Sequence, residues 1–345
     1  MSIIYSQSSG VHNAAIGKLE TPIKMIIEHE SDYQKKRGGA MDWLFNVEKS
    51  NRFGETIVGQ NEFGVFAATE EGEAATGDGI QETYTKFIEH IQFMKEFTVT
   101  AKMMEDANYG VAADARRRAE NFTRAYYKTM HKICSYALAN GTLASGSFAG
   151  ATLDLTAPDA LPLFSSVHKY GIPSDGLTQS NYFYGNLFAS GAALEDSLGA
   201  LASRLRNMKD ENGEVLGYTA DTIILPGNRP LAESLVKKVC GSNGALGNGY
   251  NDINIQYGNW SIVVLPDWQT EDDRMMIMSS EANKNLGGNM FFNRVPLTVS
   301  NWVDHHTGNY LWCGRCRFGV GFGSYKHILL AVGSEAAVEG ATPLA

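Results

Sequence analysis

The feature that most constrains this chain is a long stretch, residues 54–85, that contains no lysine or arginine. Glycine, glutamate and threonine predominate there, and Phe63, Val65 and Phe66 lie at nearly the spacing of a strand. Unstructured loops of this length are uncommon inside compact domains. We therefore predict an exposed hairpin over residues 52–87 with a Gly-rich tip, and residues 88–100 as a returning strand. Such an element suits a subunit that reaches over its neighbours better than it suits an enzyme.

The segment that follows the acidic stretch has the periodicity of a long helix. Between Val111 and Asn140, apolar residues recur every three or four positions, which places them on one helical face. Asn140 and Gly141 supply the stop signal. A helix of about 30 residues is about 45 Å long, more than the width of a small domain. The prediction is a spine helix, whose apolar face comprises Ala115, Ala119, Phe122, Tyr126, Met130, Ile133 and Ala137.

Charge and cysteine content exclude several functional classes. The 29 basic and 38 acidic residues give a net charge of −9, whereas proteins that grip nucleic acid need an excess of lysine and arginine. The four cysteines are too sparse for a disulfide framework and favour a reducing compartment. The N-terminus has no signal-peptide pattern, and no apolar run reaches the length of a membrane span. We expect a protein that is cytosolic when made.

The remainder of the chain alternates strand and helix patterns. Residues 1–51 contain a short mixed segment with apolar residues at Ile23, Met25, Ile26 and Ile27, followed by a basic cluster at Lys35–Arg37. We predict an extended arm with little core of its own. Beyond a boundary near residues 170–176, the alternation favours a mixed sheet flanked by helices. The predicted helices are 189–207, with a leucine stripe, and 230–239; the predicted strands are 221–226, 260–266, 274–279, 295–303, 310–322 and 327–332, the last ones beside the spine helix.

Three groups of residues suggest chemistry. His305 and His306, with Cys313 and Cys316, carry zinc donors, but positions three apart on a strand face opposite sides, which favours ordinary strand packing. His168 follows Ser165 and Ser166 without a nucleophile-elbow motif, so a hydrogen-bonded loop histidine is the better interpretation. The glycines of residues 319–324 lack the spacing of a phosphate-binding loop. We therefore predict no catalytic, cofactor or metal residues.

A series of short patterns carries a family resemblance. They are Leu161-Pro-Leu-Phe-Ser-Ser-Val-His-Lys-Tyr-Gly171, Asn186-Leu187, Ala193-Leu194-Glu195, Asp221-Thr-Ile-Ile-Leu-Pro226 and Trp260-Ser-Ile-Val-Val-Leu-Pro-Asp-Trp268. In this order, over roughly residues 53–332, the chain resembles the major capsid proteins of tailed bacteriophages, nearest the Mu-like major head subunit family. The resemblance implies an α+β fold of the Hong-Kong-97-type phage major capsid class.

The resemblance also implies a division of the chain and a mode of assembly. It implies an N-terminal arm (1–51), an extended loop (52–87), a peripheral domain (88–173) with the spine helix (111–140), an axial domain (174–290) and return strands with a C-terminal tail (291–345). Such subunits form hexamers and pentamers, and here the loop 241–254 would lie at their centres. The shell would enclose double-stranded DNA without sequence-specific binding. We expect a separate scaffolding protein and a portal, assembly in the cytoplasm of a bacterial host, and no lysine-mediated cross-link from the loop.

The sequence therefore predicts the head protein of a bacteriophage or prophage, a structural protein and not an enzyme. We expect the loop carboxylates to pair with basic residues on a neighbouring spine helix; the residues are Glu70, Glu71, Glu73 and Asp78 on the loop, and Arg116, Arg117 and Arg124 on the helix. Two alternatives remain: an encapsulin-like bacterial compartment shell, and a zinc-dependent hydrolase that uses His305, His306 and Cys313.

Overall fold

The structure is a computed structural model. It describes residues 4–5, 14–60, 66, 68–72, 74, 77, 82–100, 102, 110–170, 177–241 and 254–344. Within these residues the helices are α1 (Ala14–Arg37), α2 (Ala40–Leu44), α3 (Gly110–Ala139), α4 (Gly191–Arg206), α5 (Pro230–Gly241) and α6 (Ser280–Asn285).

Along the chain, the strands lie before, between and after these helices. In chain order they are β1 (Ile4–Tyr5), β2 (Asn46–Lys49), β3 (Gly54–Gln60), β4 (Glu82–Glu89), β5 (Ile91–Val99), β6 (Ser145–Phe148), β7 (Ala151–Asp154), β8 (His168–Lys169), β9 (Thr178–Gln179), β10 (Tyr182–Gly185), β11 (Thr222–Pro226), β12 (Ser261–Leu265), β13 (Arg274–Met278), β14 (Asn289–Val303), β15 (Tyr310–Phe322), β16 (Ile328–Gly333) and β17 (Thr342–Pro343).

Two sheets organise the fold. One has the order β1-β14-β15-β5, with β2 paired to β14, and is built around the long antiparallel pair β14–β15. The other has the order β12-β11-β13-β16-β10-β17. The mixture of separate helical and sheet layers confirms the α+β class.

The spine helix is confirmed as α3. All seven predicted apolar positions, from Ala115 to Ala137, are buried, and all of them except Ala115 belong to the main core. Its contact with β15 is close, because a Cβ atom at Gly314 would overlap the ring of Phe122. At the C-terminal end, Asn140 donates a side-chain hydrogen bond to the carbonyl of Tyr136 (3.0 Å), which stabilises the predicted stop. The helix forms where it was predicted because its apolar stripe is continuous.

The six-stranded sheet separates two hydrophobic cores. Strand side chains alternate between faces, so Ile224 and Met276 pack in the core shared with α3, while Ile223 and Met275 pack in the second core. The second core is covered by α4 and α5. It confirms the predicted leucine stripe, whose members are Leu194, Leu198, Leu201 and Leu205.

The predicted extended arm is wrong for residues 14–49. Residues 14–37 are the helix α1, and its Ile23 and Ile27 are buried in the main core together with Leu44 of α2. The Ser31 hydroxyl and the Tyr127 hydroxyl of α3 are hydrogen-bonded at 2.6 Å. The segment therefore packs against the spine helix.

The hairpin is confirmed as β3 and β4, which pair from Gly54 and Glu89 to Gln60 and Glu82. Most of the predicted tip lies outside the described residues, as do residues 242–253 of the loop predicted to lie at capsomer centres. Residues 91–99 are not the return of the hairpin, since β5 pairs with β15 in the larger antiparallel sheet. The predicted strand 327–332, expected to pair with the other late strands beside the spine helix, corresponds to β16. It pairs instead with β13 and β10 in the six-stranded sheet. The division into arm, loop, peripheral and axial domains stays a prediction.

Candidate functional site

The base of the hairpin is fixed by a buried lysine. Lys86 on β4 forms an ion pair with Asp154 on β7, and its ammonium group also donates a hydrogen bond to the Thr156 hydroxyl (2.6 Å). Partial burial would raise the pKa of Asp154, but hydrogen bonds from Lys86 and Thr156 outweigh it and lower that pKa. On the neighbouring strand Ile57 packs with Ile88 against β14. The hairpin therefore leaves the body from a rigid base.

The outer face of the hairpin exposes large apolar side chains. The rings of Phe53 and Phe87 stack with centroids 6.3 Å apart, and both are exposed. Phe66, beyond the end of β3, is fully exposed at 104%. The stacked pair Phe53–Phe87 and the separate Phe66 are therefore candidates for contact with another protein surface.

The structure describes only part of the predicted acidic set. Glu70 and Glu71 are exposed, whereas Glu73 and Asp78 lie outside the described residues. The exposed pair follows Phe66 by only a few residues. Acidic and apolar groups are thus presented together near the end of the hairpin.

The predicted basic residues of α3 differ in their surroundings. The Arg124 guanidinium lies 2.8 Å from Glu30 of α1 and 3.7 Å from Glu120, and Arg116 lies 2.9 Å from Glu120. Burial would raise the pKa of Glu30, but hydrogen bonds from Arg124 and Gln34 lower it overall. Arg124 and Arg116 therefore already have carboxylate partners within the chain.

Arg117 is exposed, and no carboxylate of the described residues is within ion-pair distance of it. Sequence reasoning missed the partner of Arg124 because the helix that supplies Glu30 was predicted as an extended segment. Among the described residues, no ion pair joins Glu70 or Glu71 of the loop to these arginines within one chain.

The residues of the zinc hypothesis do not converge. Cys313 and Cys316 are buried in β15, while His305 and His306 lie in the exposed turn between β14 and β15. Burial raises the pKa of Cys316 to about 12, which disfavours the thiolate that binds zinc. Within the described residues, no group of three or more His, Cys, Asp and Glu side chains is arranged to hold a metal ion.

His168 is confirmed as a hydrogen-bonded histidine, but it lies in the short strand β8 and not in a loop. Its Nδ1 lies 2.7 Å from a carboxylate oxygen of Asp159, and its Nε2 lies 3.1 Å from the carbonyl of Leu163. Both ring nitrogens are therefore engaged within the chain. The ring stacks on Tyr325 at 3.8 Å, and the side chains of His168 and Asp159 are both buried. The group fixes the loop after the spine helix and leaves no ring nitrogen for a serine.

A cleft that the sequence did not reveal lies between the end of α1, α2, α3 and the end of β12. We call it the Trp43 cleft. It has a volume of about 730 Å³ and is lined by residues that include Arg37, Trp43, Lys128, His131, Leu265 and Pro266. The ring of His131 is packed against Gly39, where a Cβ atom would approach Nδ1 to 2.6 Å.

The polar groups of the Trp43 cleft are incompletely paired. Both ring nitrogens of His131 are buried without a hydrogen-bond partner among the described residues, since the carboxylate of Asp42 is 4.0 Å away. Burial lowers the pKa of His131 and raises that of Asp42. The basic cluster at Lys35–Arg37 was the sequence signal for this site, but its partners come from α3 and β12, far away in the chain.

The comparisons with known proteins identify the fold. No family model matches the sequence, and no curated protein matches it. Among solved structures, the capsid of Cyanophage P-SCSP1u is similar with a TM-score of 0.53 and 10% identity, over 87% of this chain and 89% of that chain. This chain has the fold of a phage capsid protein.

Two further structures are similar at lower scores. The capsid of the Myoviridae phage XM1 has a TM-score of 0.49 and 14% identity, over 86% of this chain and 92% of that one. A virus-like particle from Pyrococcus furiosus has a TM-score of 0.48 and 9% identity, over 89% of this chain and 98% of that one. At these identities the likeness concerns the fold alone.

In the part of the chain that the structure describes, the search for a helix able to cross a membrane found none.

Proposed function

We propose that the protein is the major capsid subunit of a tailed bacteriophage or prophage, of the Mu-like group. Many copies, arranged as hexamers and pentamers, would close into an icosahedral shell around a double-stranded DNA genome. The observation that carries the proposal is the likeness to the Cyanophage P-SCSP1u capsid, which extends over nearly the whole of both chains. The virion capsid is then its location, after assembly in the cytoplasm of the host bacterium.

The surface of the isolated chain supports this function. Phe53, Phe66 and Phe87 are exposed on and beyond the hairpin, and burying a phenylalanine side chain is worth about 1.5–3 kcal/mol. A neighbouring copy would cover them. The buried anchor at Lys86 holds the base of the hairpin in place, so little conformational entropy is lost when the hairpin docks.

Charge pairing between copies would set the register of the assembly. In this proposal Glu70, Glu71, Glu73 and Asp78 of one loop approach the spine helix of a neighbour. Since Arg116 and Arg124 already have partners within the chain, Arg117 is the best remaining acceptor of the three predicted arginines. Exposed ion pairs contribute about 0–1 kcal/mol each, so apolar burial must supply most of the stability of the shell.

The partners follow from the same chemistry. A net charge of −9 is compatible with a capsid shell that encloses DNA without binding it tightly. A separate scaffolding protein and a portal would direct closure and DNA entry.

The experiment that tests the function is expression with and without a candidate scaffold, followed by size-exclusion chromatography and negative-stain electron microscopy. Closed shells or rings of subunits are the expected result. A monomer or dimer that persists at high concentration in both conditions would refute the proposal.

The contents of the particles separate the remaining alternatives. Particles from a phage lysate should contain DNA, whereas particles with a bound cargo protein and no DNA would indicate an encapsulin-like shell. Stoichiometric zinc in the purified chain, measured by elemental analysis, would favour the hydrolase instead.

The register hypothesis has its own test. Arg117→Glu should reduce the yield of normal particles, and Lys238→Glu on α5 provides a matched charge reversal on another surface. Equal yields of normal particles from the two variants would contradict the pairing.

A further inference from the structure

The Trp43 cleft borders a strand edge that is open in the described structure. Strand β12 pairs with β11 on one side, and none of the described strands pairs with its other side. The amide of Ser261 donates to the carbonyl of Asp221 on the β11 side. Because alternate residues of a strand direct their backbone groups to opposite edges, the amides and carbonyls of Ile262 and Val264 face outward. This edge can accept another extended segment.

The open edge is flanked by apolar walls. A second cleft of about 580 Å³ lies beside the first, and Trp43 and Val264 line both. The Trp43 side chain is half exposed between them, and Leu265 and Pro266 line the Trp43 cleft. Exposed apolar edge strands are usually protected in natural proteins. Here a segment laid along β12 would pair the free backbone groups and cover Trp43.

The rim of the cleft carries two cationic side chains. Arg37 and Lys128 are exposed at its rim, and neither forms an ion pair with a described residue. The carboxylates nearby are already engaged or distant: Asp267 lies 3.0 Å from Lys132, Glu30 is bound by Arg124, and Asp42 is too far from His131 for a hydrogen bond. Arg37 and Lys128 therefore leave the cleft with a cationic rim that attracts an incoming carboxylate.

We propose that the Trp43 cleft binds the acidic segment around Phe66 and Glu71 from a second copy of this chain. The segment would lie extended along β12, with Phe66 against Trp43 and the carboxylate of Glu71 near Lys128 and Arg37. This proposal rests on the proposed function, and it moves the main acceptor of the acidic segment from the arginines of α3 to the cleft.

An extended polypeptide fits this site better than nucleic acid does. The free amides and carbonyls of β12 can form hydrogen bonds with the backbone of another extended segment. Phe66 is fully exposed, and its burial against Trp43 would be favourable. The acidic segment supplies both an aromatic residue and carboxylates within a few residues. A DNA phosphate would meet the cations but would leave the strand edge unpaired.

Cross-linking tests the contact directly. The four native cysteines are buried, so a Glu71→Cys, Lys128→Cys double variant adds two accessible thiols. Mild oxidation of assembled particles should produce a ladder of covalent multimers on a denaturing gel. The control is Glu71→Cys with Lys237→Cys on α5, which should give no ladder. Particles that form normally but yield only monomers, or that cross-link equally in both variants, would overturn the proposal.

A charge exchange separates this contact from other roles of the cleft. Arg37→Glu with Lys128→Glu should abolish normal assembly, and adding Glu70→Lys with Glu71→Lys should restore it in the combined variant. If the cleft variant assembles normally, or if the added loop substitutions do not restore assembly, the acidic segment is not the occupant. Absence of particles from the wild-type chain itself would instead count against the proposed function.

Discussion

His327 provides the sharpest test of the structure through the pH dependence of stability. It is fully buried, and its Nε2 donates a hydrogen bond to the side-chain oxygen of Asn289 (2.9 Å). Burial lowers the pKa of His327 to about 3, from an ordinary value of 6.5. The folded chain therefore holds a neutral imidazole under conditions in which the unfolded chain holds a charged one.

The sign and size of the effect follow from proton linkage. Between pH 6.5 and about pH 3 the unfolded state binds a proton that the folded state does not, so acidification favours unfolding. Each pH unit below 6.5 costs about 1.4 kcal/mol, which gives about 2 kcal/mol at pH 5. The contribution is fully present above pH 6.5 and is lost progressively as the pH falls.

The perturbation is His327→Gln, which removes the titration and retains an amide donor for Asn289. The free energy of unfolding is measured by urea denaturation of the unassembled chain, with tryptophan fluorescence, at about pH 7.5 and about pH 5. Wild type should lose about 2 kcal/mol more than the variant between the two conditions. The pKa of His131 is also lowered. Because His131 is present in both proteins, its contribution to the pH dependence of stability cancels in the comparison.

The exposed His306 supplies the control, because His306→Gln should show the same pH dependence as wild type. Equal losses of stability in wild type and His327→Gln would refute the reasoning. They would mean that the imidazole is hydrated or that the ring is not enclosed against Gly288 as the structure has it.

Three further predictions concern the anchor, the spine and the thiols. Lys86→Met should destabilise the unassembled chain by about 1–3 kcal/mol and speed proteolysis of the hairpin, whereas Lys95→Met on the exposed part of β5 should do neither. Met130→Ala, at a fully buried position of α3, should cost about 2–5 kcal/mol by denaturant titration. Thiol reagents at about pH 8 should label the native chain slowly, because its cysteines are buried. In the urea-unfolded chain they should label all four cysteines, Cys134, Cys240, Cys313 and Cys316.

The elements predictable from sequence were those with a continuous apolar pattern. The α3 stripe and the leucines of α4 are buried as predicted, because local periodicity alone decides which face packs. Helix α1 was missed because its buried face is half polar. After Ile23 and Ile27, the same face buries Glu30, Ser31 and Gln34. Their partners lie on other turns and on α3, which no local pattern reports.

Features that depend on distant pairing were not predictable. The placement of β16 between β13 and β10 is set by long-range packing in both cores, and its own sequence shows only that it is a buried strand. The Trp43 cleft joins residues from four separate elements, and the basic cluster at Lys35–Arg37 does not by itself indicate a cleft. The acidic loop and the basic helix were recognised from the sequence. The residues that pair with the helix arginines within the chain, Glu30 and Glu120, were not.

The position of β16 has a consequence for synthesis. Ribosomes make β10, β11, β12 and β13 before this strand, yet β16 lies between β13 and β10 in the finished sheet. In the growing chain β12, β11 and β13 can pair, but β10 has no partner in this sheet until residues 328–333 have been made, and both cores lack the side chains of β16 until then. Residues 182–278 can therefore complete this sheet and its two cores only after a strand made about 50 residues later has been added.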